Sequence, residues 1–153
     1  MKKIIFCLAL GFALQTQAQT TAKTDPVIQS MVSDVSAKNI EAIVRKLVSF
    51  QTRHTLSDTL STKTGIGAAR NWIKAELEKY AAASGGRLKV EFDAFTQAAD
   101  GRRVTVPTLM KNVLAILPGT DPEDDRVFIV SGHYDSRASD VLDSKSFAPG
   151  AND

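Results

Sequence analysis

The sequence predicts an α/β domain in which helices pack on a mixed, mainly buried β-sheet. Three observations carry this. Apolar residues recur at spacings of three and four in two segments between Asn39 and Tyr80. The pattern switches to strict alternation at Leu88. Two short continuous apolar runs then follow, 112–117 and 127–130, each closed by turn residues.

The first residues set the limits of the fold. Met1-Lys2-Lys3 leads into an apolar run from Ile4 to Leu14, followed by polar residues and a small-residue site at Thr16 and Ala18. This is the pattern of a secretory signal peptide cut after Ala18, since the run is too short to cross a bilayer as a helix. Residues 1–18 are therefore set apart from the fold, and the protein is expected to be exported, to the periplasm or beyond. Lys2 and Lys3 leave with the signal, so 17 of the 19 basic residues remain against 17 acidic ones. A neutral mature chain argues against nucleic-acid or anionic-membrane binding, both of which need a basic patch. The single cysteine, Cys7, lies in the signal, which leaves no disulfide in the mature chain.

Residues 19–25 are polar and aperiodic and read as a flexible lead-in, so the folded part is expected over 26–153. Pro26 suits the first turn of a short helix. Asn39 suits the cap of a second, core-facing helix with Ile40, Ile43, Val44, Leu47 and Val48 on one face. The Thr-, Ser- and Asp-rich stretch 52–64 reads as an exposed loop, with His54 as a loop histidine. A third helix follows with Ile66, Ala69, Ile73, Leu77 and Tyr80 as its apolar face, ended by Ser84-Gly85-Gly86. Leu88, Val90 and Phe92 then alternate with Lys89, Glu91 and Asp93, as in a strand with one wet face. Ala99-Asp100-Gly101 breaks this strand from the buried runs 112–117 and 127–130. Trp72, Tyr80, Phe92 and Phe95 fit core packing by their spacing. Arg102-Arg103 and Glu123-Asp124-Asp125 fit solvated loop tips.

The segment from Ser131 to Asp153 carries the chemistry. His133 and Asp135 are placed just past a strand expected to be buried, where loops leave an open sheet and ligands bind. A neutral imidazole suits a borderline metal such as zinc, and Asp135, two residues on, suits the role of fixing its tautomer. Asp153 follows a Pro-Gly turn and offers a carboxylate able to bridge two metals. By spacing alone, other readings stay open: a hydrogen-bonded or solvent-facing histidine, and an aspartate that satisfies local backbone donors.

The string Gly132-His133-Tyr134-Asp135-Ser136-Arg137, followed by Ala148-Pro149-Gly150-Ala151-Asn152-Asp153, resembles the metal-binding signature of the M28 family of zinc metallopeptidases, typified by bacterial leucyl aminopeptidases. Lys111–Gly119 resembles the strand and turn that precede it there. Leu47–Arg53 and Gly67–Leu77 resemble the family's early helices. The resemblance implies a zinc exopeptidase-like fold, two zinc ions that activate a water against a peptide carbonyl, and peptide substrates. By position it implies that His133 and Asp153 are metal ligands, Asp153 bridging both ions, and that Asp135 orients His133. Tyr134 and Arg137 lie near the metal segment and are candidates for substrate contact. Members of the family place the catalytic glutamate and further ligands after the bridging aspartate, so the chain is expected to be a truncated, N-terminal part of the peptidase domain and inactive alone. Two other readings keep the fold: a non-catalytic binding or receptor-like domain, and a single-zinc enzyme like the glutaminyl cyclases. The sequence assigns no oligomeric state and no side-chain specificity.

Overall fold

A computed structural model describes residues 24–151. The proposed signal peptide, residues 19–23 of the polar lead-in, Asn152 and Asp153 lie outside the described residues. The chain divides into two units, one ending at Ser36 and one beginning at Ala37.

The first unit contains helix α1, Pro26–Ser33. Proline occupies its first turn, where the absent N–H costs nothing, and Asp25 caps it by accepting from the Val27 amide at 2.8 Å.

The second unit is an α/β assembly of helices α2 (Ala37–Val48) and α3 (Gly65–Ala83) with strands β1 (Lys89–Gln97) and β2 (Thr108–Ile116). α2 begins two residues before Asn39, which therefore sits inside the first turn rather than at its cap. α3 ends where Ser84-Gly85-Gly86 was expected to end it. The Ser84 amide bonds back to Tyr80 and Ala81, and Gly85 and Gly86 take the left-handed angles, φ 64° and 84°, that a side chain resists.

β1 and β2 form an antiparallel hairpin running in register from Lys89 opposite Ile116 to Gln97 opposite Thr108. The alternation read in the sequence holds, with Leu88, Val90 and Phe92 half-buried and Lys89, Glu91 and Asp93 exposed. At the hairpin tip Asp100 accepts from the amides of Arg102, Arg103 and Val104, and Gly101 takes φ 69°. α3 packs on both strands.

Several details differ from expectation. The sheet of the described residues is two-stranded and antiparallel rather than mixed, and most of its positions are exposed or half-exposed. The run 127–130 forms no strand: Val127, Phe128, Ile129 and Val130 are 80–99% exposed. Apolar β-formers become a strand only when another strand accepts their backbone hydrogen bonds, and no described segment does so here. α2 is not core-facing along its length, since Ile40 and Ile43 are half-exposed, Ile43 on the wall of an apolar groove of about 500 Å³ between it and α3. Tyr80 and Phe95 are likewise exposed rather than packed in the core.

The centre of the unit is small. Phe50, Ala68 and Ala69 are buried, with Leu47, Trp72 and Tyr134 against them. Phe50 and Trp72 meet as tilted rings 6.1 Å apart. Two glycines let α3 enter this centre. An added Cβ on Gly67 would lie 2.4 Å from the Thr59 carbonyl oxygen, and one on Gly65 would lie 2.5 Å from that of Asp58. The start of α3 thus presses on the backbone of the preceding loop.

Candidate metal centre

The site grows from the end of α2. Gln51 turns the chain there with φ 68°, and its carbonyl accepts from the Ala148 amide at 3.0 Å. Thr52 and Ala148 form a parallel bridge, which brings residues far apart in sequence side by side. Contrary to the exposed loop expected at 52–64, Thr52, Arg53, His54 and Ser57 are buried. Burial of these polar residues is tolerable because each has hydrogen-bond partners, a fact that composition cannot convey.

Arg53, 1% exposed, is the hub. Its Nε donates to the Tyr134 carbonyl at 2.8 Å, and Nη1 donates to Leu47 at 2.9 Å and Pro149 at 3.4 Å. Nη2 donates to the Gly150 carbonyl. Its backbone pairs with Ser136: the Arg53 amide donates to Ser136 Oγ at 3.0 Å, and the Ser136 amide donates to the Arg53 carbonyl at 3.3 Å. Ser136 Oγ in turn donates to the Ala148 carbonyl at 2.5 Å. One residue therefore ties the stretch around His133–Ser136 to Ala148–Gly150. Arg53 and Ser136 both fall within segments that carry the family resemblance, Leu47–Arg53 and Gly132–Arg137, but neither is assigned a role there, because the sequence does not show that they meet.

His133 and Asp135 come together on this support. Asp135 Oδ1 lies 3.0 Å from His133 Nδ1, and the Asp135 carbonyl oxygen lies 3.2 Å from the same nitrogen. Two acceptors at Nδ1 favour the tautomer protonated there and put the lone pair on Nε2. Both side chains are about half-exposed. Asp153 lies outside the described residues, so its distance to this pair is not part of the geometry. Tyr134 points the other way and donates to the Lys111 carbonyl at 2.6 Å, fastening the segment to β2. Burial raises the pKa of its phenol, with the Arg70 charge opposing and Asp135 adding to the rise, so it stays a donor at neutral pH. Arg137 is exposed.

His54 is buried and structural. Its Nδ1 accepts from the Leu56 amide at 3.0 Å, so Nε2 carries the proton and donates to the Val141 carbonyl at 2.9 Å. That bond pins the loop between Ser136 and Ala148. Within this loop Asp143 accepts from the amides of Lys145 and Ser146, each at 2.9 Å. The Ser146 side chain, its amide and the Lys145 amide together hold the Asp143 carboxyl at about 2, below its ordinary value of 3.8. A carboxyl depressed on folding stabilises the folded loop fully above its unfolded pKa, and that contribution is lost as pH falls through the folded value. The Lys145 and Ser146 amide resonances are therefore expected to hold their native positions down to pH 3 and to shift with a midpoint near 2. A midpoint near 3.8 in an NMR titration would contradict the turn.

A cleft of about 320 Å³ opens beside His133 and Asp135, lined also by Thr55, Arg70, Gln97 and Asn112. Among the described residues no group of three or more His, Cys, Asp or Glu side chains stands close enough to hold a metal ion.

The described residues thus form an α/β structure with a carboxylate-oriented histidine at a loop junction. The chain is similar over most of its length to proteins named probable zinc metalloprotease. It is 52% identical to one from Leptosphaeria maculans over 126 residues, which is 82% of this chain and 29% of that protein. It is 50% identical to one from Pyrenophora teres f. teres over 129 residues, 84% of this chain and 26% of that protein. A third, from Pyricularia oryzae, is 47% identical over 129 residues, 84% of this chain and 25% of that protein. The chain therefore spans between a quarter and a third of the length of these relatives. No family model matches the chain, and no solved structure matches it.

Proposed function

We propose that this chain is part of an exported zinc metallopeptidase of the M28 type, an aminopeptidase that removes residues from the amino end of peptides. One observation carries the reading: His133 Nδ1 is held by Asp135 Oδ1 at 3.0 Å, in a chain whose relatives are named for zinc-dependent proteolysis. The donor chemistry fits one ligand position. An imidazole with its lone pair on Nε2 is a good zinc ligand, and a carboxylate on the opposite nitrogen raises its basicity and fixes its plane. Asp153 is the proposed carboxylate shared by two zinc ions. When bound, zinc supplies the Lewis acid that polarises a water and a peptide carbonyl.

The chain's own residues prepare that site. Asp135 selects the His133 tautomer, Arg53 holds the neighbouring Tyr134 carbonyl and the Pro149 and Gly150 carbonyls, and Tyr134 anchors the segment to Lys111. Export is proposed from Met1-Lys2-Lys3 and the apolar run after it. Among the described residues no helix is long and apolar enough to cross a membrane.

A catalytic zinc needs about three protein ligands, and residues 19–153 contain two proposed ones, His133 and Asp153. Residues 19–153 with added zinc are therefore expected to show no turnover of leucine p-nitroanilide. The full-length protein is expected to cleave it, to lose activity to a chelator and to regain it with zinc. Full-length activity indifferent to chelation would rule the proposal out.

A further inference from the structure

Arg70 sits on the buried first part of α3 and is 7% exposed. Its Nε is buried and has no hydrogen-bond partner among the described residues. A guanidinium so placed is costly, because the Nε donor it brings out of water is not repaid inside. A carboxylate is the partner that a planar guanidinium fork accepts best, through two parallel charge-assisted bonds.

Arg70 is also on the wall of the cleft that His133 and Asp135 border. Asp135, an acidic residue on that wall, already meets His133 Nδ1 with its Oδ1. Asn112 is directed elsewhere, donating to Asp93 at 3.0 Å. At about 320 Å³ the cleft is at the small end of ligand pockets, so a carboxylate at Arg70 belongs to a small group or a short chain.

We propose that Arg70 anchors a carboxylate-binding subsite beside the His133–Asp135 pair, taking the C-terminal α-carboxylate or an acidic side chain of a short peptide. That the ligand is a peptide rests on the metallopeptidase reading. The need of the buried guanidinium for an anion does not. In the proposed enzyme the subsite favours substrates with a carboxylate close to the cleaved bond.

The test is calorimetric binding to the full-length protein after chelation of its metal. The probes are N-acetyl-Leu-Gly with a free carboxylate, its C-terminal amide, and N-acetyl-Leu-Glu-amide with only a side-chain carboxylate. The expected result is binding of one or both carboxylate probes about tenfold tighter than the amide, as a charge-assisted pair supplies. Whichever carboxylate probe binds identifies the source of the anion. In Arg70→Gln the preference is expected to vanish. In Arg70→Lys, which keeps the charge without the fork and guards against a folding failure of the first variant, it is expected to shrink. Equal binding of acid and amide by the unaltered protein, or a preference unchanged in both variants, would overturn the assignment. The acetylated probes carry no free amine and the metal is absent, so failure of hydrolysis would defeat the metallopeptidase reading without moving this result.

Discussion

Replacing Arg53 by alanine is expected to lower the unfolding free energy by about 4 kcal/mol. The guanidinium donates to four carbonyl groups, those of Tyr134, Leu47, Pro149 and Gly150. Each such bond contributes about 1 kcal/mol net, and a carbonyl left without a donor in a buried site costs at least as much. Arg53→Lys is expected to recover only part, because a single ammonium cannot reach carbonyls set around a planar fork. Urea unfolding of the two variants reads this directly. The consequence for the site is local as well as global. Without the fork, Tyr134 and Gly150 lose the support they share, and the two stretches are held together by the Ser136–Ala148 bond and the Thr52–Ala148 bridge. A loss under about 1 kcal/mol in Arg53→Ala would mean that the hub is not one.

Gly67→Ala is expected to destabilise by about 3 kcal/mol, although alanine forms helix better than glycine by about 1 kcal/mol. The new Cβ would stand 2.4 Å from the Thr59 carbonyl oxygen, 2.5 Å from its carbon and 2.6 Å from its Cα. These are backbone atoms, so no side-chain rotation relieves the clash and the loop itself must move. That loop cannot move freely, since the Asp58 carbonyl accepts from the Gly67 amide at 3.1 Å and Ser57 Oγ accepts from the Ile66 amide at 2.9 Å. Displacing it also disturbs Ser57 and, through the Ser57 bonds to the His54 carbonyl, the buried histidine. A thermal melt should move to lower temperature. A rise would show that the helix start is not in contact with the loop.

Both effects arise where the sequence was hardest to read. Periodicity placed α3, its glycine stop and the alternating face of β1, because those features depend on neighbours within a few residues. The burial of Thr52, Arg53 and His54 depends on partners more than 80 residues away, such as Tyr134, Ser136 and Val141. A polar stretch looks the same in sequence whether water or distant carbonyls satisfy it. The run 127–130 shows the converse. Its composition says that it can be buried in a sheet, but pairing is a property of two segments, and the described residues contain no second one. At the site, His133 and Asp135 were legible because a histidine and a carboxylate two residues apart can meet with no help from the rest of the chain. Arg70 was not legible, since its spacing on α3 is that of an ordinary helical residue and only its burial makes it unusual.

The proposed role of His133, oriented by Asp135, is that of a zinc ligand. It is tested most directly by the zinc content of the purified full-length protein and its His133→Ala variant, measured by elemental analysis on folded samples. Two zinc ions per chain are expected in the unaltered protein, with the loss of one on removal of the imidazole. Equal zinc content in the two proteins would contradict it.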